Sequence, residues 1–410
     1  MHKKNFQCRY CGSQELKKYL SLGDQPPSNS FISKEDIDSE VFYPLEVYFC
    51  EKCFLSQLLD VVPAEDIFDD YLYHSSTSKQ LLELYQDLVA KASKRFNVQP
   101  GDVVVDVGCN DGVLLKAYPD NLEIIGVEPS NVAELASKAG FKIYKDFFGE
   151  RTAAKINKDF GKAKIITATN VFVHVDDMNN FIKGFHDLIA DDGVIIIEVS
   201  YLIDVIDRLL FDTVYHEHLC YLSLTPLSYF LNENGLEAFD VERSEIGASG
   251  PSIRVFIQKK DGGYKIEKSI KEMLEMERNW GIGDFNTYQD YSKRVEDLKD
   301  SVVSLINKKI VEGSTVGAYG APAKGNTLLN YFNLDSKSIA CVAENNVEKI
   351  GLLTPGTHIP IVSDEEFLAS MPDFALLLTW NYLDHFLKNS EYLKEGGKFI
   401  VPLPELLIKP

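Results

Sequence analysis

The sequence lacks an uninterrupted apolar run of the roughly 18 residues that a membrane helix needs. Basic side chains are also few: 42 Lys and Arg face 62 Asp and Glu, which gives a formal net charge of −20. Such an acidic chain does not offer the basic surface that binds nucleic acid or an anionic membrane. Residues 1–7 are basic but no apolar segment follows, so we expect no signal peptide. These absences predict a cytoplasmic protein without nucleic-acid or membrane partners, which we expect to be a monomer.

Cysteine is scarce, with seven residues in a chain of 410, and four of them form two C-x-x-C pairs. This usage indicates a reducing compartment and a metal site rather than disulfides. Four thiolates complete a tetrahedral zinc site without an open position, so we expect a structural metal. Thiol redox chemistry and a zinc ribbon that binds nucleic acid are the alternatives. The predicted ligands are Cys8, Cys11, Cys50 and Cys53.

A complete dinucleotide fingerprint is missing from the stretch that organises the chain. Residues 103–107 are a β-branched run, typical of a strand buried on both faces, and a turn from Gly108 to Gly112 follows. The pattern G-x-G-x-x-G would need glycine at the positions of Asn110 and Val113. A pyrophosphate bound at a helix N-terminus is therefore poorly supported.

The second strand of this unit, residues 124–127, ends on Glu128. A glycine turn followed by this acid favours S-adenosylmethionine, which carries a sulfonium, an ammonium and a ribose diol but no phosphate. We expect Glu128 to accept hydrogen bonds from both ribose hydroxyls, the turn and Asp106 to hold the amino-acid end, and a carboxylate with an aromatic edge to meet the adenine. The predicted cofactor-binding residues are Asp106, Gly108, Asn110, Gly112, Glu128, Asp146, Phe147 and Asn170.

Alternating helix and strand signals continue to residue 262 and predict an open α/β domain. Predicted helices cover residues 81–96, 132–139, 178–190 and 225–234, and residues 113–118 are expected to begin another. Predicted strands cover residues 141–144, 165–168 and 193–199, with terminal antiparallel strands at 238–242 and 252–258. Ligands in such sheets bind beyond the carboxyl ends of the strands, which places His174 and Glu198 near the cofactor and the substrate.

Residues 215–218 read Tyr-His-Glu-His, and four such side chains in a row are unfavourable to bury without a function. Histidines two positions apart cannot share one helix face, so the H-E-x-x-H pattern of metalloproteases does not apply. Another metal site would lack a third ligand nearby. Because perturbed titrating groups cluster at active sites, we predict that this segment is catalytic.

A second α/β unit follows two charged helical segments, residues 266–280 and 288–310, which are expected to connect the domains. Its first strand is predicted at residues 315–319, and a loop of residues 320–326 follows. Lys324 precedes Gly325, whereas a Walker loop places lysine after its glycine, so ATP hydrolysis is not indicated. Backbone N–H groups and one lysine can hold a diphosphate, with a plain strand-to-helix turn as the alternative.

The chain as a whole resembles the sugar C-methyltransferases that act on nucleotide-linked keto-deoxysugars, such as the C-3 methyltransferase of D-tetronitrose biosynthesis. The shared motifs are C-R-Y-C, C-E-K-C, D-V-G-C-N-D-G, N-V-F-V-H-V-D-D, Y-H-E-H-L-C-Y and Y-G-A-P-A-K-G. The resemblance implies a zinc-binding domain (residues 1–75), a class I S-adenosylmethionine-dependent methyltransferase core with a Rossmann-like fold (76–262) and a C-terminal Rossmann-like domain (263–410). It implies a nucleotide sugar, linked to TDP, GDP or CDP, between the last two domains.

The resemblance also implies catalytic roles for Tyr73, with Tyr71 as an alternative, and for His174, Tyr215, Glu217 and His218. Substrate contacts are expected from Glu198, Tyr319 and Lys324. A 4-keto group acidifies the hydrogen on C3, so a base can form an enolate that attacks the sulfonium methyl. His218 is the expected base, with Glu217 orienting it or serving instead, and the tyrosines would donate to the oxygen where charge develops. An O- or N-methyltransferase and a non-enzymatic zinc scaffold are the rival functions.

Overall fold

The computed structural model describes residues 2–63, 67, 75, 79–245 and 250–410. Its N-terminal domain, residues 2–63, consists mainly of antiparallel strands. These are Lys3–Lys4 (β1), Leu16–Gln25 (β2), Tyr43–Cys50 (β3), Ser56–Leu58 (β4) and Asp60–Val61 (β5). Strands β2, β3 and β4 pair in that order, β1 pairs with β5, and a 3-10 helix covers Lys34–Ser39.

The central domain, residues 79–262, contains a mostly parallel sheet. The strands of this sheet are Val103–Val107 (β6), Glu123–Val127 (β7), Lys142–Tyr144 (β8), Ala163–Thr169 (β9), Ile189–Ser200 (β10), Leu236–Ser244 (β12) and Ser252–Lys259 (β13), and the short strand Cys220–Tyr221 (β11) lies outside it. The sheet order is β12-β13-β10-β9-β6-β7-β8. Among the described strands of this sheet, only β13 pairs antiparallel, with β10 and with β12. Every residue of β6 is buried, as a central parallel strand requires. The predicted α/β fold and its terminal antiparallel strands are confirmed.

Four helices of the central domain lie at the predicted positions, those at residues 150–160 and 202–207 were not predicted, and one predicted helix does not form. The described helices are Lys79–Arg95 (α1), Ala133–Lys138 (α2), Glu150–Phe160 (α3), Met178–Leu188 (α4), Leu202–Asp207 (α5) and Leu224–Glu233 (α6), with 3-10 turns at Leu115–Ala117, Phe172–His174 and Phe211–Thr213. The prediction that residues 113–118 begin a helix is wrong, since only one 3-10 turn forms there. Tyr118 precedes Pro119, which disfavours the helical region, and its backbone is extended.

The two helical segments predicted between the domains are confirmed, but both are packed against their neighbours. They are Lys268–Trp280 (α7) and Phe285–Val311 (α8). Ile270 and Met273 of α7 are buried in the core of the central domain, whereas Tyr288 and Tyr291 of α8 pack with the N-terminal and C-terminal domains. The connector therefore joins the three domains into one structure.

The C-terminal domain, residues 314–410, is a second parallel sheet. Its strands are Val316–Tyr319 (β14), Val342–Glu344 (β15), Ile361–Ser363 (β16), Phe374–Leu377 (β17), Lys398–Val401 (β18) and Leu407–Lys409 (β19). Their order is β16-β15-β14-β17-β18-β19, with β19 antiparallel to β18. The helices are Ala323–Phe332 (α9), Asp364–Ser370 (α10), Leu383–Asn389 (α11) and Glu391–Lys394 (α12), and a 3-10 turn covers Trp380–Tyr382.

Strand β11 leaves the central domain and extends the N-terminal sheet, whose order is β11-β4-β3-β2. Cys220 pairs with Gln57 and Tyr221 with Ser56. The segment that follows residues 215–218 is thus part of the N-terminal sheet. None of the described helices combines the length and apolar composition that a membrane span requires.

Candidate active site

The four predicted metal ligands meet at one point of the N-terminal domain. The Sγ atoms of Cys8, Cys11, Cys50 and Cys53 all lie within 4.8 Å of one another. The two C-x-x-C turns have the same backbone pattern: the N–H of Gly12 donates to the Cys8 carbonyl, and that of Phe54 to the Cys50 carbonyl, each over 2.9 Å. Both donors have a positive φ, which turns each chain back after its second cysteine. Four thiols at this spacing fit a tetrahedral zinc ion.

The predicted cofactor turn lies at the carboxyl end of β6. Gly108 has a φ of +69°, and a Cβ atom added there would lie 2.2 Å from Cγ2 of Val171. Only glycine, which has no Cβ atom, allows the turn to lie this close to the loop after β9. Asn110 also has a positive φ, of 51°, and the N–H of Gly108 donates to the Val127 carbonyl over 2.7 Å.

Glu128 is buried at the carboxyl end of β7 and binds this turn. Its Oε2 accepts from the backbone N–H of Asn110 and its Oε1 from that of Ser130, both over 3.0 Å. These two donors fix both carboxylate oxygens in place, and each oxygen can accept a further hydrogen bond. The arrangement fits the predicted recognition of a ribose diol.

Asp106 and Asn170 lie near the same end of the sheet. Thr167 donates to the Asp106 carboxyl over 2.6 Å, while burial raises the pKa of Asp106 to about 7. Asn170 follows β9 with a φ of 58°, and its N–H donates to the Glu198 carbonyl over 2.7 Å. Asn170 and His218 line one cavity of about 30 Å³, so the predicted cofactor and catalytic regions adjoin.

The predicted adenine contacts lie after the edge strand β8. Asp146 forms ion pairs with Arg151, at 2.7 Å, and with Lys155, at 3.3 Å. The ring of Phe147 is 57% exposed and faces solvent over most of its surface. The adenine contacts of Asp146 and Phe147 stay predictions.

Two histidines of the predicted catalytic set lie side by side. The ring centroids of His174 and His218 are 5.1 Å apart. Nδ1 of His218 lies 2.7 Å from the carbonyl oxygen of Thr213, and because a carbonyl only accepts, Nδ1 carries the proton. Nε2 of a neutral His218 therefore carries the lone pair that a base needs.

His174 is held by a backbone carbonyl in the same way. Its Nδ1 lies 2.7 Å from the Glu217 backbone carbonyl. A hydrogen bond with the backbone of Asn170 also favours the protonated ring. Burial lowers the pKa of His174, and burial together with His174 lowers the pKa of His218 to about 3. Both rings are therefore neutral near pH 7.

The Glu217 carboxyl is buried, and burial raises its pKa to about 7. Its Oε1 accepts from Nδ2 of Asn29 over 2.6 Å. Tyr215 packs on His218 with ring centroids 4.0 Å apart. The described contact that orients the His218 ring is the one between its Nδ1 and the Thr213 carbonyl, not one with the Glu217 carboxylate. Tyr73 and Tyr71 lie outside the described residues.

The predicted substrate residues have different surroundings. Lys324, at the start of α9, donates to Oδ1 of Asn381 and lies 4.3 Å above the ring of Trp380. Burial lowers the pKa of Lys324 to about 8, against the opposing charge of Asp212. Asp212, in the central domain, accepts from Nε1 of Trp380 over 2.6 Å. Lys324 therefore lies at the junction of the central and C-terminal domains, next to the turn that holds His218.

Glu198 and Tyr319 already have partners inside their own domains. Glu198 on β10 forms an ion pair with Arg254, its register partner on β13, at 2.7 Å. Tyr319 packs against aromatic rings of the C-terminal domain, with centroids 5.2 Å from Phe386 and 5.6 Å from Phe367. These contacts give both residues structural roles, and their substrate contacts stay predictions.

Comparison with known proteins finds matches along most of the chain. Sequence models of three domain families match it: one described as "putative zinc binding domain" at residues 8–68, a methyltransferase domain at 77–241, and a C-methyltransferase C-terminal domain at 247–404. C-methyltransferase NovU from Streptomyces niveus is 32% identical over 403 residues, which cover 97% of this chain and 96% of NovU.

Two solved methyltransferase structures resemble part of the chain. An S-adenosylmethionine-dependent methyltransferase from Clostridium acetobutylicum is 11% identical with a TM-score of 0.35, over 44% of this chain and 92% of the other. Magnesium protoporphyrin IX methyltransferase from Synechocystis is 14% identical with a TM-score of 0.35, over 44% and 83%.

The matched domains, the sheet order and the glycine turn with its acid define an S-adenosylmethionine-dependent methyltransferase of class I fold with an N-terminal cysteine domain. The near full-length match is more specific. The chain belongs to the family of NovU-like C-methyltransferases.

Proposed function

We propose that this C-methyltransferase transfers a methyl group to C3 of a nucleotide-linked 4-keto-deoxysugar, through an enolate. The observation that carries the proposal is the tautomer of His218, whose Nδ1 bonds to the Thr213 carbonyl and whose Nε2 can therefore accept a proton. A ketone acidifies the hydrogen on the adjacent carbon, and a base that removes it forms the enolate. An O- or N-methyltransferase does not remove a hydrogen from carbon and would not need a base for that step.

His218 is the proposed base because its neutral ring is held from one side and carries its lone pair on the other. Glu217 is the alternative base, since its pKa of about 7 matches a proton transfer near neutral pH. Tyr215, packed on His218, is proposed to donate to the oxygen on which negative charge develops. Tyr73 is proposed to assist it, and His174 to keep His218 in place.

The methyl donor, when bound, supplies an electrophilic methyl group on a sulfonium. Glu128, held by two backbone N–H groups, is proposed to bind the ribose of this donor. Asp106, Gly108, Asn110, Gly112 and Asn170 would contact its amino-acid end, with Asp146 and Phe147 near the adenine. The chain would thereby hold the methyl group close to the carbon nucleophile and aligned with it, and such positioning accelerates the reaction.

The C-terminal domain is proposed to hold the TDP, GDP or CDP part of the substrate. Lys324 and the backbone N–H groups of residues 320–326 would bind the diphosphate, and Tyr319 and Glu198 are the other proposed contacts. Lys324 lies close enough to Asp212 for their charges to interact. Asp212 directly precedes Thr213, whose carbonyl binds His218. We propose that Cys8, Cys11, Cys50 and Cys53 bind one structural zinc ion.

Product analysis tests this function. The enzyme is incubated with TDP-, GDP- and CDP-linked 4-keto-deoxysugars and a donor carrying a ¹³C methyl group. A new carbon–carbon coupling between the label and C3 is expected for one nucleotide series. Methyl groups attached only to oxygen or nitrogen would contradict the proposal.

A further inference from the structure

We infer that Asn29, from the loop between the two C-x-x-C pairs, is a positioning residue that holds the Glu217 carboxylate in its ionised form. The inference rests on the proposed role of Glu217 and assigns a function to a segment that the catalytic motifs do not include. Asn29 Nδ2 lies 2.6 Å from Glu217 Oε1. An ionised carboxylate only accepts hydrogen bonds, so the amide nitrogen is the atom that faces it.

The loop that carries Asn29 has a defined position. Nδ2 of the fully buried Asn326 donates to the Ser28 carbonyl over 2.7 Å, and the hydroxyls of Ser28 and Thr327 are 3.1 Å apart. Both partners belong to α9, the helix that follows the proposed diphosphate loop. The C-terminal domain thus holds the residue next to Asn29 while Asn29 reaches the central domain.

Glu217 needs such a donor because its surroundings favour the neutral form. Tyr215 and His218 of its own loop pack on each other, and His174 from the loop after β9 contacts the backbone carbonyl of Glu217. The N-terminal loop brings the uncharged Asn29. Among the described residues, no cation is close enough to shift the pKa of Glu217, and the Asn29 hydrogen bond is what opposes burial.

Loss of this hydrogen bond should raise the pKa of Glu217 further. A hydrogen bond to a charged group is typically worth enough to move a pKa by roughly one to two pH units. The acid limb of the kcat/KM profile should then move up by about that amount in Asn29→Leu, which removes the donor. Asn29→Asp should move it further, because two neighbouring carboxyls disfavour each other's charge.

The experiment compares wild type, Asn29→Leu, Asn29→Asp and the control Ser33→Ala, which alters the same segment between the two C-x-x-C pairs but removes a hydroxyl that bonds to the exposed Asp36. Methyl transfer gives the pH profiles. Infrared difference spectroscopy of the ligand-free proteins, with Glu217→Gln as reference, gives the titration midpoint of the Glu217 carboxyl. Higher midpoints in both Asn29 variants and an unchanged one in Ser33→Ala are expected.

An unchanged midpoint in the Asn29 variants, or an equal change in Ser33→Ala, would overturn the inference. The infrared measurement needs no substrate, so it separates this inference from the proposed function. A raised midpoint in a protein that does not methylate the sugar would refute the function and leave the role of Asn29 standing. If Asn29→Leu does not fold, the isosteric Asn29→Asp alone decides.

Discussion

Leu219, which follows His218, donates its backbone N–H to the carbonyl of Val173, which precedes His174, over 2.8 Å. The carbonyl of Leu219 in turn accepts from the N–H of Leu58 in β4 over 3.0 Å. The N-terminal sheet therefore connects directly to both histidine loops. The cysteine domain thus has a structural role in the enzyme, because its sheet fixes the loops that carry the proposed base.

Loss of one metal ligand tests this connection. Wild-type protein should contain close to one zinc ion per chain, and Cys8→Ser should lose it and unfold at a lower temperature, because the two turns would no longer be held together. Elemental analysis and calorimetry measure both effects. Cys341→Ser changes a buried cysteine of the C-terminal domain and should keep the metal. A stable, fully active protein without metal would show that the ion is dispensable.

Local patterns predicted the central fold well. The strand at residues 103–107 was predicted with its observed bounds, and the acid after β7 lies against the glycine turn as its position implied. Both depend on neighbours in sequence and on the known order of α/β sheets.

Contacts between distant segments could not be predicted. Asn29 and Glu217 are 188 residues apart, and nothing in either local sequence indicates the other. The ion pair of Glu198 with Arg254 depends on the register of two strands, which a single sequence does not reveal.

The two tryptophans offer a matched test of the domain junction. The indole of Trp380 donates to the buried Asp212 over 2.6 Å, and that of Trp280 to the exposed Asp207 over 2.9 Å. Trp380→Phe would leave a buried carboxyl without this donor and should lower the free energy of unfolding by about 1–3 kcal/mol. Trp280→Phe should have a smaller effect, because water replaces its exposed hydrogen bond. Urea unfolding measures both, and equal effects would contradict the structural role of Asp212.

The acid of the cofactor site can be tested without any sugar. Glu128→Ala should weaken S-adenosylmethionine binding by roughly 10²–10⁴-fold, because two hydrogen bonds to a charged acceptor would be lost. Isothermal titration calorimetry gives the Kd. Glu134→Ala, on the neighbouring helix α2, removes an exposed acid and should bind normally. Unchanged affinity in Glu128→Ala would mean that another group binds the ribose.

The raised pKa of Glu217 also predicts how stability depends on pH. Burial raises this pKa from 4.5 to about 7, so between those values the folded state binds more protons and stability falls as pH rises. Each pH unit of difference corresponds to about 1.4 kcal/mol, so the ionised carboxyl destabilises the fold by roughly 3 kcal/mol above pH 7.

Glu217→Gln keeps an acceptor for Asn29 but carries no charge. It should therefore unfold at a higher temperature than wild type at pH 8 and at a similar temperature at pH 4.5. Differential scanning calorimetry at the two pH values measures the difference. The same difference between the proteins at both values would mean that Glu217 does not titrate as described.

Exchange of the C3 hydrogen with deuterated water tests the proposed enolate most directly. With S-adenosylhomocysteine in place of the donor, no methyl group can be transferred, and proton removal is observed alone by NMR. Wild-type enzyme should exchange the hydrogen. His218→Ala should slow exchange by roughly 10²–10⁴-fold while binding both ligands, if His218 is the base. Exchange lost in Glu217→Gln but kept in His218→Ala would make Glu217 the base. A wild-type enzyme that methylates C3 but never exchanges this hydrogen would contradict an enolate that forms before methyl transfer.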